Sequence, residues 1–145
     1  MTLVGIRHVT MSFMSAFNIT STSHQARDGI RLAIDIYRPA DSSGEPLAGP
    51  FPTVLIRTPY DRKGTRYRRD GEFWARNGYV LAVEDCRGRF DSEGNFVLLA
   101  NEGPDGFDAI EWLAQQSFSN GRIGTYGTSY SGWVQNAAAI ERPPS

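Results

Sequence analysis

The sequence has few of the residues from which disulfides and metal sites are built. Its 145 residues contain one cysteine, Cys86, and two histidines, His8 and His24. A single cysteine cannot form an internal disulfide, and these three side chains provide no metal-ligand spacing of the usual kind. We therefore expect neither a bound metal nor another cofactor, and the low cysteine count fits a reducing compartment.

Long apolar runs are also absent from the sequence. No stretch approaches the roughly 20 apolar residues that span a bilayer, and Arg7 and His8 interrupt the first segment before a signal-peptide core forms. The composition is ordinary for a globular chain, with 40% hydrophobic residues, 21% charged residues and a net charge of -1. We expect a soluble, cytoplasmic protein that does not bind membranes.

The first half of the chain carries the pattern of a β-hairpin. Apolar and polar residues alternate in "QARDGIRLAIDIYRPA", which starts at Gln25, and this period of two predicts a half-buried strand. An Asp28-Gly29 turn precedes it, and the polar, β-prone residues 18–24 supply a first arm. A loop rich in proline, glycine and serine follows the strand.

The rest of the chain alternates between strand-like and helix-like segments. Strands are predicted at about 53–58, 79–85 and 122–127. Helices are predicted at about 67–77, 104–116 and 130–141. Asn77-Gly78 would end the first helix, Pro104 would lie in the first turn of the second, and Asn120-Gly121 would form a turn into the last strand. This order predicts a parallel sheet with flanking helices, preceded by the antiparallel hairpin.

One serine lies in a pattern typical of a catalytic nucleophile. In "GTYGTSYSGW" a predicted strand runs into a glycine-rich turn containing Ser129, and a predicted helix follows at once. That context is the nucleophile elbow, in which a tight turn exposes the hydroxyl and the next backbone N–H, here that of Tyr130, faces a developing oxyanion. Ser131 stands where G-x-S-x-G has its second glycine. Ser129 acting only as a helix cap is the alternative.

Five ordered blocks of sequence, which together cover most of the chain, resemble the X-prolyl dipeptidyl peptidase and cocaine esterase family of serine hydrolases. That family includes the alpha-amino acid ester hydrolases, and its own elbow reads G-x-S-Y-x-G. The blocks are "RDGIRLAIDIYRP" (27–39), "RTPYDR" (57–62), "NGYVLAVEDCRGRFDSEGNF" (77–96), "EGPDGFDAIEWLAQQ" (102–116) and "GRIGTYGTSYSGW" (121–133).

The resemblance implies a role for each of three residues. Ser129 would be the acyl-forming nucleophile, and the backbone N–H of Tyr130 would be one oxyanion donor. The hydroxyl of Tyr60 would be the second donor; without the resemblance, a loop-tip tyrosine packed on a proline is the preferred interpretation. Ligands of open α/β sheets bind beyond the carboxyl ends of the strands, which is where Tyr60 and Ser129 are predicted to lie.

The general base and acid of such a site are missing after the serine. In this fold the order is serine, acid, histidine, yet Glu141 is the only acid and no histidine follows Ser129. We therefore expect an incomplete α/β-hydrolase fold, truncated after the elbow helix, with an N-terminal arm at 1–26 and the hydrolase part at 27–145. The unpaired last strand would then favour self-association.

The predicted function is that of a serine hydrolase cleaving small peptides or esters through an acyl-serine. This chain would carry only the nucleophile and oxyanion part of the site. A non-catalytic fragment or interaction module that retains the scaffold is the alternative, and the peptidase and esterase branches of the family stay open.

For several further residues we prefer a structural interpretation to a functional one. The basic run "YDRKGTRYRRD" is taken as a solvated loop and first helical turn rather than a nucleic-acid patch, because the net charge is -1. Cys86 is taken as a packing residue at a strand end. Asp85, Arg87 and Asp91 are taken as a structural charge network. Trp133 either packs or lines the acyl pocket.

Overall fold

The computed structural model describes residues 16–145, which form five strands and three helices: three strands come first, and helices and strands then alternate. The elements are β1 (Ala16–Gln25), β2 (Arg31–Ala40), β3 (Phe51–Thr58), α1 (Thr65–Arg76), β4 (Val80–Asp85), α2 (Glu102–Ala114), β5 (Ser119–Thr125) and α3 (Tyr130–Ile140). Each predicted strand and helix is present, with bounds shifted by a few residues. His8 and the first part of the predicted arm lie outside the described residues.

The strands form one mixed sheet in the order β1-β2-β4-β3-β5. Strands β1 and β2 pair antiparallel along their whole length, joined by a turn in which the Gly29 N–H donates to the Ala26 carbonyl at 2.8 Å. Strand β2 pairs antiparallel with β4, whereas β4 and β5 pair parallel with β3. The predicted hairpin leading into a parallel sheet is therefore confirmed.

Local sequence signals explain most of the element boundaries. Asn77 caps α1 and Gly78 follows with φ +80°, a backbone conformation that favours glycine. Pro104 lies in the first turn of α2, where its missing N–H has no helical partner to lose. Asn120-Gly121 is different: these residues lie inside β5, beside a register shift against β3, rather than in a turn before the strand.

Helices cover both faces of the sheet and divide the buried apolar residues into two clusters. One cluster joins the sheet to α2 and α3 and contains Ile34, Ile36, Leu55, Val80, Ala82, Ala109, Ile110, Leu113, Phe118 and Ala138. The other joins the opposite face to α1 and contains Tyr37, Val54, Ile56, Tyr67, Leu81 and Val83. The sheet is thus the middle layer of three.

The expectation that β2 is half-buried is wrong. Ile34 and Ile36 face the cluster under α2, as the alternation predicts, but Tyr37 on the other face packs in the cluster under α1. Asp35 on that face is also buried, where its carboxylate accepts hydrogen bonds from Ser21 and Arg62. In this strand, a charged residue in the alternating pattern therefore marks a buried ion pair and not exposure to solvent.

Strand β5 is an edge of the sheet and pairs only with β3 among the described residues. Self-association through this edge stays a prediction, which rests on the tendency of unpaired strand edges to recruit other chains. None of the helices formed by residues 16–145 has the length and apolar character needed to cross a bilayer.

Candidate functional site

Ser129 lies at the junction of β5 and α3 in a strained backbone conformation. Its φ of +55° and ψ of -130° lie outside the regions that L-residues ordinarily occupy. Strain of this kind persists only where the surrounding structure imposes it, and it concentrates at functional sites. The side chain of Ser129 is exposed, so the turn presents its hydroxyl to solvent.

The close approach of strand and helix at this turn requires Gly127. A Cβ placed on Gly127 would lie 2.7 Å from both the Cβ and the carbonyl oxygen of Ser131, and φ at Gly127 is +155°. Gly132 is less demanding, since its hypothetical Cβ would approach nothing nearer than the Gly127 carbonyl oxygen at 3.3 Å. Ser131 itself is buried under the turn. Because Gly127 has no side chain, there is room for Ser131 at the position where G-x-S-x-G has its second glycine.

Helix capping does not account for Ser129. The residue occupies the N-cap position of α3, but its side chain makes no capping hydrogen bond. Its carbonyl oxygen instead accepts from the N–H groups of Gly132 and Trp133 at 2.9 and 3.0 Å. Within residues 16–145 the Ser129 hydroxyl has no hydrogen-bond partner, so it is available to a substrate. The N–H of Tyr130, in the first turn of the helix, has no partner within α3 for the general reason that the first turn lacks preceding carbonyls.

The side chain of Tyr130 is anchored away from Ser129. Its hydroxyl donates to Oε1 of Glu102 at 2.7 Å and accepts from the Leu99 N–H at 3.2 Å. Burial and the Glu102 carboxylate raise the pKa of this phenol, which keeps its proton at neutral pH. Tyr130 thus ties the start of α3 to the first turn of α2, and nothing in the local sequence signalled this bond.

Tyr60 lies just beyond β3 on a loop that is fixed at several points. The Tyr60 N–H donates to Oγ1 of Thr58 at 3.0 Å, and Nε of Arg89 donates to the Pro59 carbonyl at 3.1 Å. The Arg62 N–H donates to Oδ1 of Asp85 at 2.8 Å. The tyrosine side chain itself is 55% exposed. A backbone fixed by these bonds therefore presents a phenol that has no hydrogen-bond partner in the described part of the chain.

Tyr60 and Ser129 follow the carboxyl ends of adjacent parallel strands. Strand β3 ends at Thr58 and pairs in parallel with β5, which ends at Thr125. Both residues consequently lie at the same edge of the sheet, as predicted, which is the edge where open α/β sheets bind ligands. The catalytic roles of Ser129, Tyr60 and Tyr130 stay predictions that this placement permits.

His24 lies in a buried charge network rather than beside Ser129. Its Nε2 is 2.6 Å from Oε2 of Glu84, and Nε of Arg57 donates to Oε1 of the same carboxylate at 2.7 Å. Burial alone would lower the pKa of His24, but the Glu84 carboxylate outweighs it and the pKa is raised. Burial likewise opposes the ionised form of Glu84, yet Arg57 and His24 lower its pKa. The three charges stabilise one another inside the sheet.

Position in the sheet separates His24 from the elbow. Strand β1, which carries His24, is the edge opposite β5, with β2, β4 and β3 between them. Glu141, the only acid after Ser129, caps the far end of α3. An 11-residue helix is about 16 Å long, so neither side chain is placed to serve Ser129.

The basic loop is not the solvated run that its composition predicted. Arg62 is buried and pairs with Asp85 at 2.6 Å, Asp91 at 2.8 Å and Asp35 at 3.0 Å. Tyr67 is buried as well, with its hydroxyl 2.7 Å from Oγ1 of Thr58. Arg66, Arg68 and Arg69 are exposed as expected.

The predicted network of Asp85, Arg87 and Asp91 is two networks. Asp85 and Asp91 both pair with Arg62, whereas Arg87 pairs with Asp28 and Asp105. Their structural character is confirmed. Cys86 is fully buried, as a packing residue should be, and burial raises the pKa of its thiol.

Known proteins with similar sequence and structure identify the family. Residues 28–145 match the family described as X-Pro dipeptidyl-peptidase (S15 family). A cocaine esterase from Rhodococcus sp. (strain MB1 Bresler) is 39% identical over 119 residues, which make up 79% of this chain and 20% of the esterase.

Two solved structures are similar to the fold. A CocE/NonD family hydrolase from Staphylococcus aureus is 29% identical, with a TM-score of 0.77 over 87% of this chain and 26% of that one. An alpha-amino acid ester hydrolase is 28% identical, with a TM-score of 0.71 over 88% of this chain and 23% of that one.

The chain therefore spans about a fifth of the length of the curated relatives it matches. The match along residues 28–145 and the two solved structures confirm the predicted resemblance and the α/β-hydrolase fold class. The chain belongs to the X-Pro dipeptidyl-peptidase (S15) family.

Proposed function

We propose that this chain supplies the nucleophile and oxyanion hole of a serine hydrolase that cleaves a small ester or peptide. The observation that carries the proposal is the strained, exposed Ser129 at the start of α3, whose hydroxyl makes no capping bond. A nucleophile elbow needs these features, and a glycine-rich turn that merely joins a strand to a helix does not.

The proposed reaction begins with attack by Oγ of Ser129 on the substrate carbonyl. The carbonyl oxygen becomes an oxyanion, which the Tyr130 N–H and the Tyr60 hydroxyl stabilise by hydrogen bonds. The leaving alcohol or amine departs to give an acyl-serine, and water then releases the acid. Ser129 must lose its proton to a base. The same base then gives the proton to the leaving alcohol or amine. Since His24 is buried at the opposite edge of the sheet and no histidine follows Ser129, we assign the base to a partner segment or polypeptide.

Active-site labelling tests this proposal. The chain would be treated with a fluorophosphonate probe, alone and mixed with a polypeptide that carries the later strands, acid and histidine of a family relative. We expect labelling of Ser129 in the mixture and at most trace p-nitrophenyl acetate hydrolysis by the chain alone. Tyr60→Phe should lower turnover in the mixture by about 10²–10³-fold through loss of one oxyanion donor.

Two matched variants identify the labelled residue. Ser129→Ala should abolish labelling, whereas Thr128→Ala, which changes the exposed hydroxyl next to it, should keep it. Labelling that survives Ser129→Ala would overturn the assignment, and an unlabelled mixture would favour the non-catalytic alternative. Comparing p-nitrophenyl acetate with an X-Pro p-nitroanilide in the mixture would then separate the esterase and peptidase branches.

A further inference from the structure

Arg89 contacts the loop that carries Tyr60 and an aromatic ring that neighbours Tyr130. On one side its Nε donates to the carbonyl of Pro59, the residue before Tyr60, at 3.1 Å. On the other side its guanidinium carbon lies 5.3 Å from the centroid of the Phe96 ring, which is itself 6.0 Å from the ring of Tyr130. Arg89 therefore contacts the residue before Tyr60 directly and, through Phe96, the ring of Tyr130, whose backbone N–H is the other proposed donor.

The guanidinium of Arg89 is held in place but keeps its end free. Phe90 and Phe96 both lie against it, with ring centroids 5.2 and 5.3 Å from the guanidinium carbon. The Nε–H of Arg89 is already used in its hydrogen bond to the Pro59 carbonyl. Among residues 16–145, neither terminal nitrogen of Arg89 has a hydrogen-bond or carboxylate partner. Two parallel N–H donors remain, in the geometry that fits a carboxylate.

Neighbouring acids do not neutralise Arg89 because other cations already hold them. Asp91 pairs with Arg62 at 2.8 Å and with Lys63 at 2.6 Å. Glu93 pairs with Arg31. The contrast with Arg87 is direct: only two residues earlier, that arginine is paired with Asp28 and Asp105. Arg87 is therefore a structural residue, whereas the charge of Arg89 is available to a ligand.

The backbone beside Arg89 is strained as well. Phe90 has φ +48°, an unusual value for a bulky side chain, and its ring is 54% exposed. This strain keeps an aromatic ring at the surface, where it lies against the guanidinium. Strained positions of this kind recur at ligand clamps.

We propose that Arg89 is a specificity-determining residue that binds a carboxylate of the substrate. The substrate class is an ester or amide that carries a carboxylate a few bonds from the scissile carbonyl, such as a monoester of a dicarboxylic acid. The end of Arg89 fixes the carboxylate, while Phe90 supplies apolar contact to the rest of the molecule. The substrate assignment rests on the proposed function, but the anion-binding site does not.

Binding of benzoate and of its uncharged analogue benzamide tests the site directly. Each would be titrated into the ¹⁵N-labelled chain at low ionic strength and followed by amide chemical shifts. We expect benzoate to shift the amides of Arg89, Phe96 and Tyr60, and benzamide to bind at least about 10-fold more weakly, because a charge-assisted bond is lost. Equal binding of the two compounds would overturn the proposal.

Substitutions at Arg89 identify the group responsible. Arg89→Gln should weaken benzoate binding about 10- to 100-fold and leave benzamide unchanged, and Arg89→Lys should retain part of the affinity because it keeps the charge. Arg69→Gln is the matched control, since Arg69 is an exposed arginine on α1 and should have no effect. If Arg89→Gln bound benzoate as tightly as the unaltered chain does, the proposal would be wrong.

The outcome does not depend on catalysis. Ser129→Ala should bind benzoate as well as the unaltered chain does. Benzoate binding by the chain, together with no labelling of Ser129 in the complemented mixture, would support the anion site and count against the hydrolase. Labelling of Ser129 with no benzoate binding would support the hydrolase and count against the role of Arg89.

Discussion

Polar side chains have opposite environments in two regions of this chain. In the paired core, defined by His24, Arg57 and Glu84, every charge is buried and lies against an opposite one. In the elbow region, defined by Tyr60, Gly127 and Ser129, the polar side chains are exposed and the backbone at Ser129 is strained. The charges of the paired core satisfy one another inside the protein, and the elbow region leaves hydroxyl groups available for chemistry.

The difference teaches that a structural and a functional polar residue are distinguished by what surrounds them, not by residue type. Arg57 lies near the end of β3 and faces the carboxylates of Glu84, Glu102 and Asp105, so its charge is paired inside the protein. Arg89 has one bond to a carbonyl and no carboxylate among the described residues. Removing each kind of residue should therefore have a different kind of effect.

The largest effect should come from breaking the paired core. Arg57→Met leaves three buried carboxylates, those of Glu84, Glu102 and Asp105, without their shared cation. Loss of one partner from a buried ion pair costs about 3–5 kcal/mol of unfolding free energy. Urea denaturation measures this loss, with Arg69→Met as an exposed control expected to stay within about 0.5 kcal/mol. An Arg57→Met chain as stable as this control would show that the core tolerates unpaired charge.

Gly127→Ala should lower stability less than Arg57→Met does. It should affect the candidate site more. The added Cβ would meet Ser131 at 2.7 Å, so the turn must open, at a cost of about 1–3 kcal/mol typical of overpacking. Fluorophosphonate labelling of Ser129 in the complemented mixture should fall with it.

Gly124→Ala on β5 is the matched control for this change. A Cβ there would meet nothing within 4 Å, and φ at Gly124 is not positive, so both stability and labelling should persist. If Gly127→Ala and Gly124→Ala behaved alike, close packing of the turn would not be what shapes the elbow.

The smallest effect should be a pH dependence within the paired core. Because the pKa of His24 is raised above 6.5, its contribution to stability is complete below that value and is lost as pH rises through the folded-state pKa. The stability difference between the unaltered chain and His24→Gln should therefore shrink from about pH 6 to about pH 9. Urea denaturation at both values tests the sign; a difference that widens with pH would contradict the charged form of His24.

Most of the fold could be predicted from sequence because its signals are local. Alternation in β2, the Asn77-Gly78 stop of α1 and the glycine turn before α3 each depend on a few consecutive residues. The placement of Ser129 and Tyr60 followed from the same signals, since both come directly after predicted parallel strands.

The buried ion pairs could not be predicted because their partners are remote in sequence. Arg62 lies in a run of exposed arginines, and its burial depends on Asp35 and Asp85, which reach it only through the pairing of β2 with β4. The bond between Tyr130 and Glu102 likewise depends on how α2 meets α3. A carboxylate in a helix's first turn looks like ordinary helix-end charge until its partner is seen.

The position of β3 in the sheet has a consequence for folding. The chain reaches β3 before β4 and β5, yet β3 lies between them and pairs with β5 only after two long crossovers. Closing long loops is slow compared with forming a hairpin such as β1–β2. During synthesis Ser129 therefore emerges as an ordinary, relaxed serine, and it acquires its strained conformation only when β5 docks. Reactivity at this residue would then require that β5 has already paired with β3.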